Sequence, residues 1–174
     1  MFWKTEDDTR AFAERLAASP ALANAFIELH GDLGAGKTTL VRHLLRALGV
    51  AGRIKSPTYA VVEPHEAPGL AGAPALSPPL SIWHFDFYRF SDPREWEDAG
   101  FRDIFASLGL KLAEWPEKAA GVLPRADLVL RIDATDITDD THHPDAAQDT
   151  PAPRQVTLRA QTATGEHLLR ELSA

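Results

Sequence analysis

The sequence predicts a single-domain α/β fold in which a central mixed sheet is flanked by helices. Three observations support this fold class. An apolar run at residues 25–30 leads through a glycine-rich turn into a helical pattern, residues 58–64 and 80–88 read as a hairpin of two strands, and later apolar runs alternate with helical segments. A length of 174 residues suits one domain, and no linker or internal repeat divides residues 1–174.

The spacing of apolar residues in the first quarter of the chain predicts a helix, a strand and a second helix. Residues 5–16 carry apolar side chains four positions apart, and either Thr5 or Asp7 could cap that helix. The run at 25–30 is a short apolar strand that ends in glycine, and residues 38–48 place leucines at helical spacing. This order of strand, glycine-rich turn and helix is the context in which a phosphate-binding motif becomes meaningful.

The rest of the chain predicts further strands separated by short helices. We expect helical pieces within 91–108, a strand at 110–114, a short helix from Trp115–Pro116 to about Gly121, strands at 127–132 and 155–160, and a last helical turn at 167–172. Two segments rich in small, polar and proline residues, 67–79 and 139–153, are expected to be flexible insertions.

Composition excludes several classes of function. The net charge of −7 and the pI near 5.4 are unfavourable for gripping nucleic acid directly, so direct DNA binding is not expected and RNA would need a basic partner. The absence of cysteine excludes disulfides and thiolate metal sites, and it fits a cytoplasmic location. No stretch approaches 18 apolar residues, so no membrane span is expected.

Residues 31–38 read GDLGAGKT, which is a complete P-loop motif. Its glycines allow the backbone N–H groups to turn inward around a β-phosphate, at the positive end of the following helix. Lys37 would reach the β- and γ-phosphates, and the Thr38 hydroxyl would ligate Mg²⁺. We therefore expect a P-loop NTPase-like fold that binds a nucleoside triphosphate and Mg²⁺ through Gly31, Asp32, Leu33, Gly34, Ala35, Gly36, Lys37 and Thr38.

Two acidic residues at strand positions are candidate partners of this motif. A P-loop site needs a carboxylate near the metal and a group that orients water. Asp86 shares one face of the 80–88 strand with His84, and Glu114 closes the strand at 110–114, where ligands gather in open α/β sheets. A solvated surface charge remains the alternative for both acids, and His84 is interpreted as structural because no histidine or cysteine partner lies at ligand spacing.

Three other features admit two interpretations each. Thr58, within SPTY, could approach the γ-phosphate as a switch-like loop, or it could belong to a turn that starts a strand. Trp115 could stack on a base, or it could be a core or interface residue. The His142–His143 pair is expected to be solvated and not metal-binding.

The ordered set GDLGAGKTTL, SPTY, VVEPH, HFDFYR and AEWPEK, followed by VLP, resembles the TsaE (YjeE) family of bacterial ATPases. These proteins act in making threonylcarbamoyladenosine at position 37 of ANN-decoding tRNAs. The resemblance covers roughly residues 5–172, and the combination of motifs is far more specific than a P-loop alone.

The resemblance implies ATP binding, weak hydrolysis and association with the TsaD–TsaB heterodimer, with tRNA reached only through that complex. It implies that residues 34–39, which include Thr39, bind the phosphates and that Thr38 and Glu114 hold Mg²⁺. It also implies that Asp86 is the Walker B-like acid, that Thr58 belongs to a switch-like loop and that Trp115 lies against the nucleotide. Glu6 and Arg154 match family positions near the nucleotide. The implied catalytic residues are Lys37, Asp86 and Glu114.

Other classes fit the residues less well. A small-molecule kinase would need an acceptor pocket and an arginine-bearing lid, whereas only Arg89, Arg94 and Arg102 lie near the acidic segment. A GTPase would need an Asn-Lys-x-Asp motif, and Asn24 is the only asparagine. A nucleotide-regulated binding module would differ from the ATPase only in whether turnover matters.

Overall fold

The structure, a computed structural model, describes residues 1–72, 78–135 and 152–173. Its strands and helices, in chain order, are β1 (Phe2–Trp3), α1 (Glu6–Ala17), β2 (Phe26–His30), α2 (Lys37–Ala47), β3 (Val62–Ala67), β4 (Leu80–Asp86), α3 (Pro93–Asp98), α4 (Phe101–Ala106), β5 (Leu110–Glu114), β6 (Leu128–Ala134), β7 (Arg154–Ala160) and α5 (Ala163–Ser173). Short 3₁₀ helices span Pro20–Asn24 and Pro116–Ala119.

A seven-stranded sheet forms the centre of the fold, in the order β1-β7-β6-β2-β5-β4-β3. The four inner strands β6, β2, β5 and β4 are parallel, whereas β3 pairs antiparallel with β4, and β7 pairs antiparallel with β6 and β1. The predicted α/β class, central mixed sheet and β3–β4 hairpin are therefore confirmed. The carboxyl ends of the parallel strands meet at one edge of the sheet, where open α/β sheets bind ligands.

The two faces of the sheet bury different kinds of side chain. One face packs aliphatic residues such as Ile82 and Leu112 against α1, α2 and α5. The other face packs Phe85 and Phe87 against the aromatic residues of α3 and α4, with ring centroids of Phe85 and Phe101 5.4 Å apart. Because successive strand residues point to opposite faces, each inner strand contributes to both layers. This double burial explains why the parallel strands read as continuous apolar runs.

The predicted strand at 58–64 begins later than expected, at Val62. The hydroxyls of Ser56 and Thr58 donate to the Asp86 carboxylate, and the Val61 N–H donates to the Pro57 carbonyl at 2.7 Å, so this segment turns instead of extending. Val61 adopts a left-handed φ of +65°, which is unusual for a β-branched residue. The backbone of SPTY therefore forms a turn before the strand, as the second of its two interpretations predicted.

The remaining elements differ from the expectations mainly at their ends. The final helix starts at Ala163, four residues before the predicted turn, and β1 is too short to produce a sequence pattern. Of the predicted flexible insertion at 67–79, only residues 73–77 lie outside the described residues. Its start is ordered and packed, because Ala67 ends β3, the Ala71 N–H donates to the Ala17 carbonyl at 3.1 Å and Leu70 packs against the core. Most of the second predicted insertion, 139–151, lies outside the described residues, as does His142–His143. Within the described ranges, no helix is both long and apolar enough to cross a bilayer.

Candidate functional site

The loop between β2 and α2 is shaped by glycines at positive φ. Gly31 has φ +133°, and a Cβ built there would lie 2.1 Å from the Ile132 carbonyl oxygen of β6. A side chain at this position would therefore collide with the backbone of the neighbouring strand. Gly34 and Gly36 have φ of +80° and +110°, with open space where a Cβ would be. The loop thus curves tightly off the sheet and presents its backbone outward.

The amino terminus of α2 is left open to an anion. Gly36 occupies its N-cap position without a capping side chain, and the first turn carries no acidic residue. By contrast, α1 begins with a complete capping box between Thr5 and Asp8 and has three acids in its first turn. The free N–H groups and positive dipole end of α2 therefore remain available for a phosphate.

Lys37 lies at the mouth of this loop and is almost fully buried. Its ammonium donates to the carbonyls of Gly31 and Asp32, the latter at 2.9 Å, and lies 3.9 Å from the centre of the Trp115 ring. Burial lowers the pKa of Lys37, and the negative charges of nearby carboxylates, Glu114 foremost, oppose that shift. The ammonium is thus held among the loop carbonyls beneath an aromatic ring.

Glu114 connects α2, the helix that follows the glycine-rich loop, to the sheet. It ends β5, beside Asp86 of β4 and Leu29 of β2, and its side chain is only 2 % exposed. The Thr38 hydroxyl donates to both carboxylate oxygens, at 2.8 and 3.0 Å. The next residue, Trp115, adopts a left-handed φ of +56°, and its ring lies 5.0 Å from that of Tyr88.

Asp86 is equally buried and is tied to the SPTY segment. Its carboxylate accepts hydrogen bonds from the hydroxyls of Ser56 and Thr58, the latter at 2.7 Å, and from the Tyr88 N–H at 3.0 Å. The surface-charge alternative is therefore wrong for both acids, because each is at most 3 % exposed and satisfied by specific donors.

His84 is a site contact that the sequence interpretation missed. It is fully buried, and its Nε2 donates to the Oε1 atom of Glu114 at 2.9 Å. The available signal was its position two residues before Asp86, which places both side chains on the same face of β4. Searching for metal-ligand spacing could not reveal a contact with a carboxylate on another strand.

Two cavities flank the amino terminus of α2, and residues Gly34, Gly36 and Thr39 line both. The first, about 330 Å³ and here called the phosphate-side cavity, is also lined by Leu33, Lys37, Thr38, Ser56, Thr58, Asp86, Tyr88, Glu114 and Trp115. The second, about 200 Å³ and here called the amino-terminal cavity, is also lined by Trp3, Lys4, Thr5, Glu6, Thr9, Ala35, Ala152 and Arg154. The two cavities therefore border the same stretch of the loop and of the first turn of α2.

Glu6 and Arg154 lie in the amino-terminal cavity. Arg154 Nε donates to the Ala35 carbonyl at 3.1 Å, which brings the start of β7 against the loop. Glu6 Oε1 accepts from His43 Nε2 of α2 at 2.8 Å. The structure therefore brings the sequence-predicted site residues to one end of the sheet. Most of them line the two cavities, whereas Gly31 and Asp32 line neither and border a separate cavity of about 200 Å³ beside Trp115.

A larger cavity of about 580 Å³ lies elsewhere, between α3, α4 and residues 121–124. Its two arginines, Arg94 and Arg102, pair with Asp92 and Glu97. It contains no hydroxyl–carboxylate pair and no loop of free N–H groups among the described residues. Size alone therefore does not identify the chemical site, and the phosphate-side cavity is the better candidate.

The donors in the phosphate-side cavity suit Mg²⁺. Thr38 and Glu114 supply hard oxygen atoms that already lie within hydrogen-bond distance of each other, and Asp86 lies on the adjacent strand. Mg²⁺ prefers oxygen ligands and usually combines one or two carboxylates with substrate phosphates and waters. In the described ranges no cluster of three or more His, Cys, Asp or Glu could hold a metal by itself. The site thus fits a metal shared with a phosphate ligand.

Comparisons with known proteins agree with this geometry. The sequence model of the family described as "Threonylcarbamoyl adenosine biosynthesis protein TsaE" matches residues 3–143. The "tRNA threonylcarbamoyladenosine biosynthesis protein TsaE" of Haemophilus influenzae is 38% identical over 164 residues, 94% of this chain and 88% of that protein. The protein of the same name from Bacillus subtilis is 33% identical over 132 residues, 75% of each. The crystal structure of Bacillus subtilis YdiB superposes with a TM-score of 0.64 at 26% identity, covering 99% of this chain and 93% of that one.

Proposed function

The chain belongs to the TsaE family of threonylcarbamoyl adenosine biosynthesis proteins, and we propose that it binds ATP and hydrolyses it slowly. In this proposal it is required for the threonylcarbamoyladenosine modification of tRNA position 37. It acts with the TsaD–TsaB complex through nucleotide-dependent association. The single observation that carries the ATPase part is the convergence of Lys37, the Thr38–Glu114 pair and Asp86 at the uncapped start of α2.

The loop and Lys37 would bind the triphosphate. The free N–H groups of residues 34–39 would surround the β-phosphate, and the Lys37 ammonium would exchange its loop carbonyls for β- and γ-phosphate oxygens. Because Lys37 is already buried, the exchange needs little further desolvation. Its positive charge would also favour the negative charge that builds on the γ-phosphate oxygens during hydrolysis.

Thr38, Glu114 and Asp86 would organise the metal and water side of the reaction. Thr38 and Glu114 would hold Mg²⁺, which when bound neutralises charge on the β- and γ-phosphates. Asp86 would help to order the metal and the attacking water. The hydrogen bonds from Ser56 and Thr58 connect Asp86 to the SPTY turn, so the position of that turn would follow the state of the γ-phosphate.

The two cavities support a division of the nucleotide. The phosphate-side cavity carries the charged groups just named, whereas the amino-terminal cavity lies on the other side of the loop and contains Glu6 and Arg154. We assign the nucleoside to the amino-terminal cavity. Trp115, which lies over Lys37, would then shield the phosphates instead of stacking on the base.

The surface around the phosphate-side cavity supports a partner-dependent enzyme. Leu33 and Tyr88, which line this cavity, are 79% and 42% exposed, and Tyr59, which follows the lining residue Thr58 and packs against Arg89, is 86% exposed. Exposed apolar side chains in one place are typical of a protein interaction site. A partner seated there would exclude water from the mouth and raise the rate of hydrolysis. The net charge of −7 fits a division in which TsaD–TsaB contacts the tRNA and this chain holds ATP.

Phosphate release from ATP, measured with and without TsaD–TsaB, tests the proposal. We expect slow release by the chain alone, a several-fold increase when the heterodimer is added, and loss of release in Lys37→Ala because phosphate binding loses its ammonium. Arg159→Ala, an exposed cation on β7 away from both cavities, is the matched control and should hydrolyse ATP at the wild-type rate.

Two outcomes would overturn the proposal. Rapid phosphate transfer from ATP to a small acceptor without any partner would identify a kinase. Release that persists unchanged in Lys37→Ala would mean that hydrolysis does not occur at this loop. Equal acceptance of GTP would leave the loop assignment intact and refute only the preference for ATP.

A further inference from the structure

We propose that His84 is a positioning residue that fixes the Glu114 carboxylate for metal binding. This inference rests on the proposed function, because it takes Glu114 to be a ligand of Mg²⁺. It adds a residue that the loop motif does not contain and that lies on a different strand from Glu114. Its role would be exerted through Glu114 and not by contact with the nucleotide.

The first observation is that His84 has only one polar partner. Its side chain is 0% exposed, and its Nε2 donates to Glu114 Oε1 at 2.9 Å. Among the described residues, nothing accepts from or donates to its Nδ1. Burying a polar atom without a hydrogen bond costs free energy. An aliphatic side chain would avoid that cost in a face built from Ile82 and Leu112, so the contact with Glu114 is the evident reason for a histidine here.

The second observation is that the two oxygen atoms of the Glu114 carboxylate accept hydrogen bonds from different sets of donors. Oε1 accepts from both His84 and Thr38, whereas Oε2 accepts only from Thr38 within the described structure. Thr38 is itself a proposed metal ligand, and its single hydroxyl proton can serve only one carboxylate oxygen at a time. The bond from His84 holds Oε1 whichever oxygen Thr38 serves, so it fixes the carboxylate independently of the metal ligand and keeps Oε2 directed towards Thr38.

The third observation concerns how rigidly the sheet holds His84 and Glu114. Cα partners in the parallel register place His84 beside Leu112 and Asp86 beside Glu114, so His84 reaches forward along the neighbouring strand to the acid. Both strands are inner strands of the sheet. A carboxylate held from such a position loses little freedom when it binds a cation. Groups that orient a metal ligand in this way commonly contribute 10–100-fold to metal affinity.

His65 provides a matched control. It lies on β3 opposite Ile82, on the same face of the sheet as His84, and its Nε2 also has no partner among the described residues. No hydrogen bond joins it to Glu114 in the described structure. Replacing His65 by leucine therefore changes a partly buried histidine near His84 in the same layer while leaving the His84–Glu114 hydrogen bond in place.

The test is the binding of ADP, measured by calorimetry in EDTA and at increasing Mg²⁺ concentrations. His84→Leu should raise the Mg²⁺ concentration needed for half of the metal-dependent gain in ADP affinity by about tenfold, while ADP binding in EDTA stays unchanged. His84→Gln places an amide donor near the position of Nε2 and should recover most of that loss. His65→Leu should match the wild type, and thermal unfolding should confirm that each variant is folded.

The outcomes separate this inference from the function on which it rests. If Glu114→Gln abolishes the Mg²⁺ dependence but His84→Leu leaves it unchanged, the positioning role is wrong and the metal assignment stands. If His84→Leu weakens ADP binding equally in EDTA and in Mg²⁺, or if His84→Gln is as impaired as His84→Leu, His84 is structural. If the wild-type chain shows no Mg²⁺ dependence at all, the proposed metal site itself fails.

Discussion

Among the described residues, the buried Asp, Glu and Lys side chains divide into three that meet at the candidate site and Lys111, which lies apart from them. Asp86, Glu114 and Lys37 lie within one constellation in which each is hydrogen-bonded. Lys111, on the opposite face of the sheet, is 4% exposed, and within the described part of the chain its ammonium donates to the Ser107 carbonyl alone. Buried charges are costly, so the first group indicates function, and Lys111 is a place where stability can be gained.

Lys111→Met should stabilise the fold without affecting the nucleotide site. Burial lowers the pKa of Lys111, so the folded state holds the proton less tightly than the unfolded state, and wild-type stability rises with pH between the lowered pKa and the ordinary lysine value. The substitution should therefore add about 1 kcal/mol to the free energy of unfolding at neutral pH, and the gain should shrink as the pH rises through that window.

Urea denaturation at several pH values, with Lys55→Met as the exposed control, measures this effect. The control should change stability by less than about 0.5 kcal/mol at every pH. Destabilisation by Lys111→Met at neutral pH would show that the hydrogen bond to Ser107 outweighs the cost of burying the ammonium.

Gly31→Ala should destabilise the fold because the added Cβ would lie too close to the backbone of β6. The new Cβ would lie 2.1 Å from the Ile132 carbonyl at a φ of +133°, so β6 or the loop must move, and we expect a loss above about 3 kcal/mol. Gly52→Ala, at φ +90° with open space around it, should lose only about 1–2 kcal/mol from backbone strain. Chemical denaturation compares the two, and equal losses would mean that β6 yields easily to the loop.

At the scale of elements, the two amino-terminal helices differ in how their first turns are satisfied. The protein itself caps α1 through Thr5 and Asp8, which fixes the position of Glu6 at the edge of the amino-terminal cavity. It leaves the first turn of α2 uncapped. The first turn of α1 is thus satisfied by its own side chains, whereas the first turn of α2 is left to the proposed phosphate ligand.

Thr5→Ala should therefore cost about 1 kcal/mol of stability, because the Asp8 N–H loses its acceptor. Amide hydrogen exchange should become faster in the first turn of α1 and stay unchanged in α2. Thr5→Ser keeps the hydroxyl and should behave as the wild type. Unchanged exchange in α1 after Thr5→Ala would mean that packing alone holds its start.

Elements governed by local rules could be predicted from the sequence, whereas those governed by distant contacts could not. The P-loop strand, turn and helix follow from glycine conformation and helical spacing, and α1 follows from its cap. The SPTY turn depends on hydrogen bonds to Asp86, 28 and 30 positions away in sequence, and no local pattern encodes it. The contact of His84 with Glu114 likewise exists only once β4 and β5 are paired.

At the scale of the whole molecule, the order of the strands in the sheet determines where the candidate site residues lie. Adjacent β2, β5 and β4 end together, so His30, Glu114 and Asp86 close neighbouring strands at the edge where α2 begins. Separate hydrophobic layers on the two faces hold these strand ends rigid. Leu33 and Tyr88, exposed beside the phosphate-side cavity, then make the same edge both the proposed nucleotide site and the proposed partner surface.

The central claim is that ATP held by this loop supports tRNA modification. Its most direct test is the threonylcarbamoyladenosine content of tRNA position 37, measured by nucleoside mass spectrometry in Haemophilus influenzae depleted of its own TsaE and supplied with this chain. We expect the wild-type chain to restore the modified nucleoside and Lys37→Ala, expressed at the same level, to leave it absent. Equal restoration by both chains, or none by a folded wild-type chain, would contradict the account.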